Sequence, residues 1–275
     1  MEYKISTITA IAQLNSLINL EKFFNSINQN DESKLIYLKD DKIIENISYI
    51  EFGKNKNESN CKGQKKNTKK NTYKKKVKKV KRFDNQLTLI INVNDNGINM
   101  KIFKNGRIQM TGLKDISNGP IAIIEIIKII NNINKNNLIL EDNVKKLTFD
   151  NYKICLINSD FKFPFKIKRD KLFQFINANT ELICSYEPCI YPGVKIQYFY
   201  NDNLDGICRC PEKFCSNKNK KSNCIKITIA VFESGCTIIT GAKSLEQINN
   251  SYNYINKLIT NNISQFKKIN IDELL

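Results

Sequence analysis

The chain has 275 residues, enough for one or two domains with a real core. Its 44 Lys and Arg outnumber its 27 Asp and Glu, a formal charge of 44 − 27 = +17, and it has no His. That charge points to nucleic acid or another anionic surface as partner, although part of it tracks the crowding of Asn, Ile and Lys that AT-rich codons favour. The absence of His excludes His-dependent hydrolases and oxidases.

The first residues, Met1 to Ser6, lack the apolar run of a signal peptide, so an intracellular protein is expected. Ile5 to Leu14 reads as a strand. Asn19 can cap a helix in which Leu20, Phe23, Phe24 and Ile27 fall at helical spacing. Residues 43–52, with Ile47, Tyr49, Ile50 and Phe52, read as a strand. From Lys54 to Arg82 the chain turns polar and basic, which predicts an insertion without a packed core. Leu87 to Val93 is a strand, Asp95-Asn96-Gly97 a hairpin turn and Ile98 to Phe103 the next strand. Asn105-Gly106 turns the chain again into Arg107 to Thr111. A helix over Ile121 to Ile133 puts Ile123, Ile126, Ile127 and Ile130 on one face. The longest apolar patch, Pro120 to Ile130, is broken by Glu125 and Lys128, so no membrane span of ~20 apolar residues is expected.

The second half runs similarly. Tyr152 to Ile157 is a strand, Asp170 to Ile176 a helix and Val194 to Tyr200 a strand. An inserted loop follows over 201–223. Ile225 to Phe232 and Thr237 to Thr240 form a hairpin around Glu233-Ser234-Gly235. Ser244 caps a last helix, Leu245 to Ile259.

The similarity is literal. Phe103, Gly106, Thr111 and Gly112 recur as Phe232, Gly235, Thr240 and Gly241 at one offset, 232 − 103 = 129. Lys22, Phe24, Ile27 and Asn28 recur as Lys171, Phe173, Ile176 and Asn177 at another, 171 − 22 = 149. Two copies of one supersecondary unit imply a pseudo-two-fold molecule. Residues 1–135 form repeat 1, with an insertion at 54–82. Residues 150–262 form repeat 2, with an insertion at 201–223, and 263–275 are a tail. Helices cover one face of each antiparallel sheet and leave the other open, an α+β architecture. Alternation puts Lys101, Phe103, Gln109 and Thr111 on one side of repeat 1, and Ala230, Phe232, Ile238 and Thr240 on the matching side of repeat 2. Core packing explains any single Phe, but two symmetry-related Phe on the polar side mark that side as functional.

Two further features stand outside the repeats. Nine Cys, an odd number without a secretory signal, favour reduced thiols or metal over disulfides. Cys208, Cys210, Cys215 and Cys224 lie close enough in sequence to hold one structural zinc, with buried strand Cys as the alternative. No other cofactor is called for. Residues 65–82 carry 10 Lys and one Arg. Lys74, Lys75, Lys76, Lys78, Lys79, Lys81 and Arg82 there are expected to contact phosphates; nuclear import and a merely solvated loop are the alternatives.

The run Phe-x-x-Gly-x-x-x-x-Thr-Gly, present twice, resembles the TATA-box-binding protein family. So do Tyr186 to Gly193 (Tyr-Glu-Pro-Cys-Ile-Tyr-Pro-Gly) and Thr240-Gly241-Ala242-Lys243. The insertions resemble the divergent versions of large DNA viruses. The resemblance implies a saddle of two curved antiparallel sheets, each with two helices on its convex face, that grips the DNA minor groove and wedges Phe pairs between base steps; this family is itself the type case of that mode. It implies wedge roles for Phe103, Phe232 and Tyr191, with Phe83 for the fourth because Lys81-Arg82-Phe83 is similar to the family's Lys-Arg-Phe. Thr111, Thr240 and Ile238 match groove-contacting positions, and Ala230, Lys101 and Gln109 share that face. Lys101 and Gln109 replace apolar groove residues, and the family's central Asn pair aligns near Ile5 and Ile154, neither of them Asn. Glu187 and Ile190 match the patch that meets an IIB-like initiation factor, with Cys189 where a second Glu is usual.

The expected function is a non-enzymatic initiation factor that bends promoter DNA and recruits that factor and a multi-subunit RNA polymerase. It would work in a host nucleus or a viral factory in the cytoplasm, with packaging in the virion as a further option. The alternative is an accessory saddle module of a nucleic-acid enzyme, which would need convergent carboxylates.

Overall fold

The computed structural model describes residues 2–29, 36–38, 44–52, 61–63, 85–134, 139–140, 144, 146–210 and 224–268. They fall into two compact units, residues 9–153 and residues 1–8 with 154–275.

The unit of residues 9–153 takes most of β1 (Lys4–Leu14). In α1 (Leu20–Asn25) the Asn19 side chain accepts from the Lys22 N–H at 3.0 Å, as the capping pattern predicts. The helix is shorter than expected. Ser26 closes it with its N–H on the Lys22 and Phe23 carbonyls, and Ile27 opens β2 (Ile27–Gln29), paired antiparallel with β3 (Ile36–Leu38). The sheet follows as β4 (Ile47–Glu51), β5 (Cys61–Gly63), β6 (Gln86–Val93), β7 (Asn96–Phe103) and β8 (Arg107–Leu113). Their spatial order is β5-β4-β6-β7-β8. Three residues of the expected insertion, β5, therefore join the sheet against β4.

The β6–β7 turn sits earlier than the Asn-Gly signal suggests. Val93 pairs with Asn96, and Asn94 and Asp95 both take positive φ (49° and 59°). Two consecutive left-handed residues make the type I′ turn whose twist suits a hairpin, and Asn and Asp tolerate that region. Asn96 and Gly97 are thereby free to extend β7. α2 (Asn118–Ile133) then crosses β6 and β8, burying Ala122, Ile123, Ile126 and Ile130. Its Pro120 lies in the first turn, where no N–H is needed.

The second unit is built from most of β9 (Phe149–Lys162), α3 (Arg169–Asn179), β10 (Ile183–Glu187), β11 (Tyr191–Tyr200), β12 (Ile225–Val231), β13 (Cys236–Ala242), α4 (Leu245–Asn261) and α5 (Ile263–Phe266). Strand order is β10-β11-β12-β13-β9. The short edge strand β10 is a departure from the sequence reading. Its residues alternate between exposed and half-buried, so it carries no apolar run to betray it. α4 begins as predicted: Ser244 accepts from the Gln247 N–H at 3.3 Å, and the Gln247 side chain accepts from the Lys243 N–H at 2.8 Å. Its buried stripe, Ile248, Tyr252, Ile255 and Ile259, lies on β11, β12 and β13. Among the described residues, no helix is long and apolar enough to cross a membrane.

Both units close their signature hairpin with the same backbone bonds. The Gly106 N–H donates to Phe103 and the Gly235 N–H to Phe232. Leu14 donates to Gly106 and Phe163 to Gly235; Ile18 donates to Lys104 and Ile167 to Glu233. These equivalences reproduce the offsets of 129 and 149 read from sequence (235 − 106 and 163 − 14). Gly106 and Gly235 have φ of 78° and 83°. A Cβ would stand 2.4 Å from the Ser16 carbonyl oxygen at Gly106, and 2.6 Å from that of Phe165 at Gly235. Only glycine fits either site.

Candidate nucleic-acid interface

The predicted alternation is what the first unit displays. Ile98, Met100, Ile102, Ile108 and Met110 are buried, while Asn99, Lys101, Phe103, Gln109 and Thr111 are partly exposed on the opposite face. Register turns them into rows. Thr88, Lys101 and Gln109 lie side by side across β6, β7 and β8, and Ile90, Asn99 and Thr111 form the next row. Phe103 stands at the end of β7 opposite Gln86. Beside it opens a cavity of about 540 Å³ bordered by Leu17, Asn85, Arg107 and Gln109. Among the described residues no ring lies against Phe103. Phe83 lies outside the described residues, as do Lys74, Lys75, Lys76, Lys78, Lys79, Lys81 and Arg82.

The second unit carries the same face with different chemistry. Lys195, Ala230, Ile238 and Asp160 form one row across β11, β12, β13 and β9, and Gln197, Thr228 and Thr240 form the next. Ile238 is 37% exposed. Ala230 lies on this face but is only 4% exposed. Its single methyl lies below the level of Lys195 and Ile238, which flank it.

Tyr191 and Phe232 come together here, their ring centroids 5.7 Å apart and tilted by 59°. Both rings sit over Gly193, where a Cβ would meet Tyr191 at 2.9 Å and Phe232 at 3.1 Å. The Gly of the Tyr-Pro-Gly run is thus the floor beneath the aromatic pair. Lys195 places its ammonium 4.0 Å from the Tyr191 centroid. From the start of α3, Arg169 donates to the Pro192 carbonyl and, at 2.9 Å, to Glu233, so it ties the backbone next to Tyr191 to the residue after Phe232. Lys268 adds a 2.8 Å bond to the same carboxylate. Lys268 first, then Arg169, holds the Glu233 carboxyl below its ordinary range.

Sequence reading missed Arg169 because its role depends on two loops far apart in the chain. Replacing it with Met is expected to loosen the ring pair. The weakening of binding to a selected duplex should be on the order of 1 kcal/mol, roughly five-fold, with the protein still folded; titration of a labelled duplex checks it.

Thr240 donates to the Asn158 side chain at 2.5 Å, so an Asn does stand on this face. It lies four residues after Ile154, the position that alignment gave (158 − 154 = 4). The offset of 149 pairs Asn158 with Thr9, which is partly exposed on β1 (158 − 149 = 9). Asp160, a carboxylate on the same face, is held by the Ser6 hydroxyl and by Lys4 at 3.4 Å.

Glu187 and Ile190 lie at the end of the edge strand β10, in a turn closed by the Ile190 N–H on the Glu187 carbonyl at 2.9 Å. Ile190 is 80% exposed, and Cys189 beside it is exposed as well. Cys208, Cys210 and Cys224 converge at the other end of β11, while Cys215 lies outside the described residues.

A TATA-box-binding protein-like protein of Acanthamoeba polyphaga mimivirus is 33% identical over 288 residues, spanning 98% of this chain and 67% of its own length. The chain belongs to the TATA-box-binding protein family. The family model for transcription factor TFIID (or TATA-binding protein, TBP) matches residues 151–262, the stretch that holds Tyr191, Phe232, Thr240 and Asn158. TATA-box-binding protein-like 1 of Entamoeba histolytica is 24% identical over 171 residues, covering 62% of each chain. Methanococcus jannaschii TBP is 15% identical, with a TM-score of 0.48, covering 95% of this chain and 99% of its own. The protein is a divergent, TATA-box-binding-protein-like DNA-binding factor with the α+β architecture of that family, and the family is non-enzymatic.

Proposed function

We propose that the protein is a transcription initiation factor that binds promoter DNA through the minor groove, bends it, and presents the bent complex to an IIB-like factor and a multi-subunit RNA polymerase. The observation that carries this reading is the Tyr191–Phe232 pair, held over Gly193 at the end of an open sheet face. The excess of cations captures the duplex. Phe232, Tyr191 and Phe103 then press apolar edges into base steps, and the unstacking is offset by the larger surface that a kinked duplex contacts. Thr240, Asn158, Thr111 and Gln109 supply the polar contacts to the groove floor, whose code separates A·T from G·C only coarsely. Glu187 and Ile190, in the turn that leads from β10 into Tyr191, would meet the protein partner. Selection from random duplex DNA, with bending measured on the winners, tests the proposal. A selected duplex that stays straight when bound would overturn it.

The basic run gives a second test. Deleting residues 65–79 is expected to leave stability nearly unchanged, since loop length costs little. It should flatten the slope of log K against log salt, each lost phosphate contact removing about 0.9 from it. Site preference should persist, because phosphates carry no base information. Equal slopes for the intact and deleted chains would show that these lysines do not touch DNA.

A further inference from the structure

We propose that Cys208, Cys210 and Cys224 bind a zinc ion that fastens the connection between β11 and β12. The three Sγ atoms lie within 4.8 Å of one another. Cys210 and Cys224 are 3.7 Å apart. Sulfurs at about 2.3 Å from one tetrahedral zinc stand about 3.8 Å from each other, whereas a disulfide holds its sulfurs at about 2.05 Å. The spacing excludes a disulfide and suits two thiolates sharing an ion.

The surroundings support the same chemistry. The Asn201 side-chain amide donates to Cys224 Sγ at 3.6 Å and to the Ile207 carbonyl at 2.8 Å. A donor to a ligating sulfur, itself fixed to the loop that carries the other two ligands, is the outer support that thiolate sites use. The loop is pinned at its start as well. Phe199 donates to Gly206 at 2.9 Å, and Gly206 takes φ 78° with Tyr198 and Leu182 filling the space a Cβ would need. Cys208 and Cys210 follow at once, and Cys224 is buried at the entry to β12. A loop pinned near its start to Tyr198, Phe199 and Asn201 would gain an attachment at its far end, through Cys224, from the metal. Arg209, between two of the ligands, is paired to Asp205 at 3.1 Å.

The ion would sit at the Tyr200–Ile225 end of a ladder whose other end is Val194–Val231, next to Tyr191 and Phe232. Metal binding and DNA wedging are thus separable, and neither result prejudges the other. The full chain, purified under reducing conditions with zinc supplied, is expected to hold one zinc by elemental analysis. Cobalt(II) in its place should give the intense visible bands of a tetrahedral sulfur site. Cys208→Ser, Cys210→Ser and Cys224→Ser should each lower zinc affinity at least tenfold, and Cys189→Ser should leave it unchanged. Loss in Cys215→Ser as well would assign a fourth thiolate; retention would assign water as the fourth ligand. Should a serine variant fail to fold, alkylation of the intact protein with and without a chelator reads the same site: zinc should shield these thiols. The proposal is overturned if reconstituted protein holds no zinc, or if the three thiols alkylate equally fast in its presence and absence.

Discussion

Alanine at both Phe103 and Phe232 is expected to abolish bending of a selected duplex while weak, salt-dependent binding to any DNA persists. Phosphate attraction needs only charge, whereas holding a base step open needs an apolar body to fill it. Truncating a central aromatic anchor typically costs at least about 2 kcal/mol, so affinity for the selected site should fall roughly thirty-fold or more. The two single variants should differ. Phe232 stands against Tyr191 over Gly193, so its geometry is set before DNA arrives. Phe103 stands beside a cavity. Phe232→Ala should therefore lose more of the kink than Phe103→Ala. Energy transfer between dyes at the two ends of the duplex, measured at fixed salt, reads both effects; an undiminished kink in the double variant would remove the wedge role.

The largest loss of stability is expected at the hairpin glycines. Alanine at Gly235 would have to adopt φ 83° and place its methyl 2.6 Å from the Phe165 carbonyl oxygen and 2.7 Å from that of Phe163. Left-handed backbone costs about 1–2 kcal/mol for a non-glycine residue, and a forced backbone shift about 1–3 more. The expected total is about 2–5 kcal/mol, read as a lowered midpoint in urea at unchanged slope. Gly106→Ala should behave alike, its methyl 2.4 Å from the Ser16 carbonyl oxygen. A midpoint unmoved in both variants would mean that the close approach is not kept in solution.

Much of this was legible in the chain because duplication writes the signal twice. Phe, Gly, Thr and Gly at one offset picked out the hairpin, and period-two alternation placed Lys101, Gln109, Thr111, Ile238 and Thr240 on the open side before any coordinates. What stayed hidden was set by contacts distant in sequence. Arg169 gains its role from Pro192 and Glu233, and Asn158 from Thr240, which lies 82 residues further on. β10 has no periodic apolar run of its own, and the β6–β7 turn was drawn toward Asn96-Gly97 although Asn94 and Asp95 could serve equally well. Ala230 shows the limit of alternation: it gives the direction of a side chain but not its height.

The unlike rows of the two units have a bearing on direction. Thr88, Lys101 and Gln109 in one unit answer to Lys195, Ala230 and Ile238 in the other. One row carries amide, ammonium and hydroxyl groups; the other carries aliphatic side chains, with its cation at one end. A DNA site that reads the same on both strands would still meet two different readers. Turning such a site end for end would change nothing in the duplex, yet turning the protein on it would exchange every contact. On the proposed mode of binding, a sequence that departs from two-fold symmetry would be bound in one orientation in preference to the other, and a factor recruited there would inherit that heading along the DNA.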